Sequence, residues 1–169
     1  RDSSMTKPIT SVAVMILYEE GHFFLNEPIG RYLPELAGRP VAALSEAGAG
    51  EEIPTEPARR AVTIRDLLRH TSGLTYGLFS NTPVDQLYRE RGILDQATLE
   101  EMVGELGSIP LAFQPGTRWH YSVSTDVLAR LVEVVSGRSF DAFLDERIFD
   151  PLGMEDTGSV SYTHLRAHE

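Results

Sequence analysis

Ser4 and Lys7 stand three residues apart at the head of an apolar run, and theirs is the first spacing in the chain that could do chemistry. On a helix, positions i and i+3 share a face, so the amine can lie beside the hydroxyl within one turn. A serine hydroxyl is a poor nucleophile at neutral pH and needs a neighbouring base. A lysine serves when desolvation lowers its pKa from about 10.4 by several units. Arginine cannot, because it keeps its proton. Lys7 is the one lysine among 15 Lys and Arg residues, so an arginine-rich chain carries its titratable amine at the place where titration would matter. Arginine-biased codon use explains the rarity of lysine but not its position.

The element that must hold this pair is a helix over residues 1–21. Ile9 to Tyr18 are apolar on nearly all sides, the pattern of a helix buried in the middle of a domain. Asp2 or Ser3 can cap it, Gly21 can close it, and Pro8 is tolerable because it falls in the first turns. A serine at such a start meets free backbone N–H groups and the positive end of the helix dipole, which would stabilise an oxyanion.

Further along, Leu25 to Pro28 read as the cap and proline start of a short helix to Tyr32 or Leu33, stopped by Pro34. Residues 38–60, rich in Gly, Ala, Pro and Glu, read as an exposed loop or insertion. Thr63 and Asp66 resemble a capping box for a helix ending near His70. Helices are expected over 82–92, 98–106 and 124–136, the last burying Val127, Leu128, Leu131, Val132 and Val135 and ending at Gly137. Another opens at Ser139 or Asp141 and runs to Phe149. Between Pro110 and Tyr121 the expectation is short extended segments around a Gln-Pro-Gly-Thr turn. His70-Thr71-Ser72-Gly73 places a histidine near a serine, but two residues apart on a helix-to-loop turn they need not face each other, and a capping or buried role is expected. His164 and His168 have a metal-compatible spacing without a glutamate between them, and no metal site is assigned.

With 41% hydrophobic and 24% charged residues, the composition is that of an ordinary globular domain. A net charge of −10 argues against nucleic acid and anionic membranes as partners. No stretch has the length of a membrane span, and the absence of cysteine excludes disulfides and thiol chemistry without choosing a compartment.

Ser4-Met5-Thr6-Lys7-Pro8 followed by an apolar helix resembles the nucleophile motif of the serine β-lactamase and penicillin-binding-protein superfamily. It looks most like the branch holding class C β-lactamases, D-alanyl-D-alanine carboxypeptidases and β-lactamase-like carboxylesterases. Three further stretches resemble the same family in the same order: residues 63–74, Gln114-Pro115-Gly116-Thr117-Arg118-Trp119-His120-Tyr121-Ser122-Val123, and residues 149–154. The resemblance runs from about Ser3 to Gly158. It implies a mostly α chain, the helical region of the α/β β-lactamase/transpeptidase-like fold, with the sheet strands of both chain ends and the third motif missing. On this reading residues 1–158 are a partial domain, and 159–169 are a non-native tail.

The resemblance also implies roles. Ser4 would be the nucleophile and Lys7 its base, and Tyr121 would exchange protons with them and with the leaving group. Val123 would be a substrate-binding position. The β-lactamases and carboxypeptidases usually have an asparagine there, whose amide binds the substrate's amide side chain; valine cannot. That leans toward carboxylic esters, with a β-lactam or D-alanyl peptide as the alternative and a non-catalytic binding relative as the competing class. The expected partner is a small ester or lactam; no cofactor is implied, and compartment and oligomeric state stay open.

Overall fold

The computed structural model describes residues 3–43 and 53–153, so the Asp2 cap and the segment with His164 and His168 lie outside the described residues. Helices dominate: α1 (Ser3–Glu19), α2 (Ile64–Arg69), α3 (Pro83–Glu90), α4 (Leu99–Leu106), α5 (Ser124–Ser136) and α6 (Phe140–Leu144). The last continues through a π-helical turn (Asp145–Phe149) into α7 (Asp150–Leu152). Among the described residues the strands are β1 (Val41–Ala42) and β2 (Thr55–Glu56), antiparallel with Val41 opposite Glu56. This is the mostly α architecture that the resemblance implies.

The core gathers on α5, which packs against α1, α2, α4 and α6. Its Val127, Leu128, Leu131 and Val132 recur at helical spacing and are at most 2% exposed, each worth roughly 1.5–3 kcal/mol of burial. Val135 is only half-buried, and Val134 faces outward. Gly137, at φ 72°, ends the helix as its sequence requires.

The helix α1 buries one stripe, Thr10, Ala13, Val14 and Leu17, while Val12 is 49% exposed. The expectation of burial on all sides is therefore met on one face alone among the described residues. The short helix is a 3₁₀ turn (Ile29–Arg31) that ends before Pro34, with Leu33 non-helical at φ −123°, and Pro34 then opens a second 3₁₀ turn (Pro34–Leu36), because a missing N–H costs nothing at a first helical position. Within 38–60, Val41 and Ala42 are buried and pair with β2, and residues 44–52 lie outside the described residues.

The capping box of α2 is present in full: Asp66 N–H donates to the Thr63 hydroxyl, and Thr63 N–H donates to the Asp66 carboxylate. Arg60 grips the same carboxylate with both guanidinium nitrogens, at 2.6 and 2.9 Å. Burial alone would raise the Asp66 pKa, but Arg60 and Thr63 outweigh it and hold the carboxyl below its ordinary value. The start of α2 is thereby fixed, and its far end delivers His70.

Candidate active site

The helix α1 carries both members of the first motif. Its backbone places Ser4 one turn before Lys7; the Ser4 side chain lies outside the described residues. The Lys7 amine stands 3.5 Å above the centre of the Tyr121 ring. Two residues 114 positions apart in sequence, expected to work together, are thus adjacent, with the amine over the ring face rather than at its hydroxyl edge. Such a contact is worth about 0.5–1 kcal/mol where water has access.

Tyr121 lies in the irregular stretch that precedes α5, and no strand ladder forms there. The extended segments expected between Pro110 and Tyr121 instead pair piecemeal with residues 71–75 and their neighbour His70. Ala112 N–H donates to Gly73 O, Gly116 N–H to Thr71 O, His120 N–H to His70 O and Val123 N–H to Thr75 O, at 2.7–3.1 Å. Two glycines permit the closeness. Gly73, at φ 95°, has Phe113 O where a Cβ would stand, at 2.6 Å, and Gly116, at φ 83°, completes the Gln-Pro-Gly-Thr turn that Thr117 N–H closes onto Gln114 O.

His70 sits at the centre of this arrangement. It is the C-cap of α2 and, among the described residues, the non-glycine with positive φ, at 57°. Its ring lies 5.3 Å from that of Tyr121 and 5.9 Å from that of Trp119, centre to centre. Its Nδ1 meets both the backbone N–H of Ser122, at 3.2 Å, and the Ser122 hydroxyl, at 3.1 Å. From there a hydroxyl chain runs inward: Ser122 to Ser124 at 2.6 Å and Ser124 to Ser72 at 2.9 Å. Ser72, Ser122 and Ser124 are no more than 2% exposed. His70 and Ser72, neighbours in sequence, are therefore linked through α5 rather than directly. Desolvation, then the charges of Lys7 and His120, push the His70 pKa below its ordinary 6.5.

On its outward side Tyr121 meets Tyr76 at 5.1 Å and Phe79 at 5.6 Å, and Tyr76 stacks on Phe79 at 5.4 Å. Phe79 is 67% and Trp119 65% exposed. Val123 is elsewhere: it is 1% exposed and belongs to the hydrophobic core. A cavity of about 580 Å³, lined by Pro28, Arg39, Arg60 and Leu111 among others, includes neither Lys7 nor Tyr121. No group of three potential ligands able to hold a metal ion occurs among the described residues. Sequence reasoning missed the serine relay and the Tyr76–Phe79 pair. The serines join residues 52 positions apart, a link that no local spacing signals.

A family model described as Beta-lactamase matches residues 3–163. An uncharacterized protein of Mycobacterium tuberculosis is 43% identical over 94% of the chain. Esterase EstB of Burkholderia gladioli is 40% identical over 95% of it. The chain spans about 38% of the length of these curated relatives. Among solved structures, unliganded simvastatin synthase from Aspergillus terreus superposes with a TM-score of 0.71 at 31% identity, covering 88% of this chain and 37% of that one.

Proposed function

The chain belongs to the β-lactamase family, and from that premise we propose that it is the acylating part of a serine hydrolase, with Ser4 as nucleophile, Lys7 as its base and Tyr121 as the second proton-transfer group, acting on carboxylic esters. The observation that carries this reading is the Lys7 amine over the Tyr121 ring. It joins the only lysine to the tyrosine that the motif order singles out, one helical turn after Ser4.

The step is an acyl transfer. Ser4 Oγ forms a bond to the ester carbonyl carbon as its proton passes to Lys7. The tetrahedral oxyanion then collapses, the C–O bond to the alcohol breaks, and the alkoxide takes a proton through Tyr121. Water reverses the sequence and frees Ser4. For this relay the amine must swing from the face of the Tyr121 ring to its hydroxyl rim, a change within the reach of one lysine rotamer. Ester over lactam is favoured by the likeness to an esterase; Val123, buried in the core, does not reach the substrate and does not carry the preference.

The test is a fluorophosphonate probe applied to the protein expressed from its whole gene, with the labelled peptide located by mass spectrometry. The expected result is a covalent adduct on Ser4 that Ser4→Ala abolishes, and equal loss of labelling in Lys7→Ala and Lys7→Arg, since a removable proton and not a charge is required. A label on Ser3 or Ser72, or normal labelling of the arginine variant, overturns the reading.

A further inference from the structure

The backbone of His70 is held in the left-handed region at φ 57° and ψ 37°, a conformation uncommon for residues other than glycine, though histidine enters it more readily than most. Residues kept in such a conformation are over-determined by their surroundings and concentrate where geometry has work to do. Here the surroundings are the stretch that carries Tyr121. His70 touches it at four successive residues: ring to ring with Trp119, carbonyl to the His120 N–H, ring to ring with Tyr121, and Nδ1 to Ser122.

The hydrogen bonds settle which nitrogen bears the proton. A backbone N–H can only donate, so Nδ1 accepts from Ser122 N–H and is unprotonated, leaving the proton on Nε2. The chain behind it has one consistent direction. Leu74 N–H donates to Ser72, whose hydroxyl donates to Ser124, and Ser124 to Ser122, which in turn donates to Nδ1. Ser124 N–H also donates to the Ser122 oxygen, so every hydroxyl gives once and receives at least once. A proton on Nδ1 breaks this at its end. The buried Ser122 N–H loses its acceptor, and a cation appears beside Lys7, His120 and Tyr121.

We propose that His70 is the positioning residue for Tyr121: its neutral, Nδ1-accepting imidazole holds the 119–122 stretch against α1, and protonation of that ring releases the stretch and turns acyl transfer off in acid. This rests on the reading of Tyr121 as a proton-transfer group. The low pKa of His70 fits it, since burial and the neighbouring charges keep the ring neutral at ordinary pH.

Two variants test it in the protein expressed from its whole gene. Asparagine tolerates the left-handed backbone, and its carbonyl can take the Ser122 N–H, but it does not titrate. His70→Asn should keep kcat at alkaline pH within a few-fold and lose the wild type's acid limb. His70→Gly relieves the backbone but leaves no acceptor, and kcat should fall at least tenfold with KM little changed and the fold intact by circular dichroism. The ¹⁵N spectrum of the wild-type imidazole should show Nδ1 as the unprotonated nitrogen until the pH at which activity falls. An unchanged acid limb in His70→Asn, full kcat in His70→Gly, or a protonated Nδ1 at neutral pH overturns the proposal. Failure of the Ser4 reading is separate: the probe would then label no Ser4 in the wild type, whereas failure of this proposal alone leaves Ser4 labelled equally fast in wild type and His70→Gly.

Discussion

Tyr121 stands between two surroundings built on opposite terms. Beneath it lie Ser72, Ser122 and Ser124, buried to 2% or less and joined by hydrogen bonds to one another and to His70, which α2 delivers and α5 backs. Outside it lie Tyr76, Phe79 and Trp119, two of them about two-thirds exposed; Tyr76 and Phe79 meet Tyr121 and each other ring to ring, and Trp119 meets His70. A buried hydroxyl network admits few geometries, because each lost partner leaves a polar group dry at about 1–3 kcal/mol. A ring contact at the surface tolerates substitution and sliding. On the proposed reading the floor would fix where protons go, and the rim would meet what is bound.

The sharpest way to break this division is to remove one oxygen. Tyr121→Phe keeps every ring contact to His70, Tyr76, Phe79 and Lys7, so folding should be unaffected while acyl transfer falls about 10²–10⁴-fold. Ester turnover and melting temperature measured side by side decide it. An unchanged rate with a lowered melting temperature would make Tyr121 a packing residue and the floor a purely structural one.

The next effect reaches the floor from its far support. Asp66 is 2% exposed and is held by Arg60, itself half in water. Breaking a buried pair costs about 3–5 kcal/mol, and with Arg60 partly solvated Asp66→Asn should cost roughly 2–3 kcal/mol. The sign with pH follows from the depressed carboxyl: the wild type has this contribution in full above the unfolded value near 3.8 and loses it as pH falls through the lower folded value. His70 acts in the same direction but earlier, since a ring held neutral in the fold loses stability as pH drops below 6.5 toward its folded value. Melting temperature against pH should therefore decline in two stages, and Asp66→Asn should flatten the more acid one. A parallel decline in wild type and variant would remove Asp66 from the account.

A smaller effect is expected two residues beyond Tyr121. Val123→Asn would bring the amide that the resemblance associates with lactam substrates, yet Val123 is 1% exposed and packed in the core. Burying an unpaired amide there should cost about 1–3 kcal/mol of stability, with no gain in nitrocefin turnover. A variant of wild-type stability that hydrolyses nitrocefin faster would show that this position opens to the substrate, and that ester preference is set by one side chain.

What the sequence made legible was local. The capping box at Thr63 and Asp66 and the bounds of α5, Ser124 to Ser136, follow from caps, helical spacing and a closing glycine, all within a few residues of where they act. Motif order pairs Lys7 with Tyr121, and the fold sets the two side by side in space. Neither the direction of Val123 nor the His70–Ser122 link was legible. The first depends on how the chain enters α5, where Val123 occupies the cap position with φ −73° and ψ 12°, and the second joins two irregular segments whose pairing no periodicity records. The run of α1 reads as buried on every side because hydropathy registers what a helix can bury, not what is packed on each face.

The smallest expected effect tests the rim. Phe79 is 67% exposed and meets the rings of Tyr76 at 5.4 Å and Tyr121 at 5.6 Å. Phe79→Ala should leave stability within about 0.5 kcal/mol, as exposed substitutions do. If the rim receives the acyl group, the loss appears only for esters with a ring to stack: an aromatic pair is worth about 0.5–1.5 kcal/mol, hence roughly a two- to twelve-fold drop in kcat/KM for phenylacetyl esters. Acetyl esters, which carry no ring to stack, should be cleaved as before. The ratio of the two kcat/KM values is the measurement, because it cancels any common change in the chemistry. A proportional fall for both esters would mean that Phe79 steadies Tyr121 itself, and the boundary between floor and rim would then lie outside Phe79 rather than inside it.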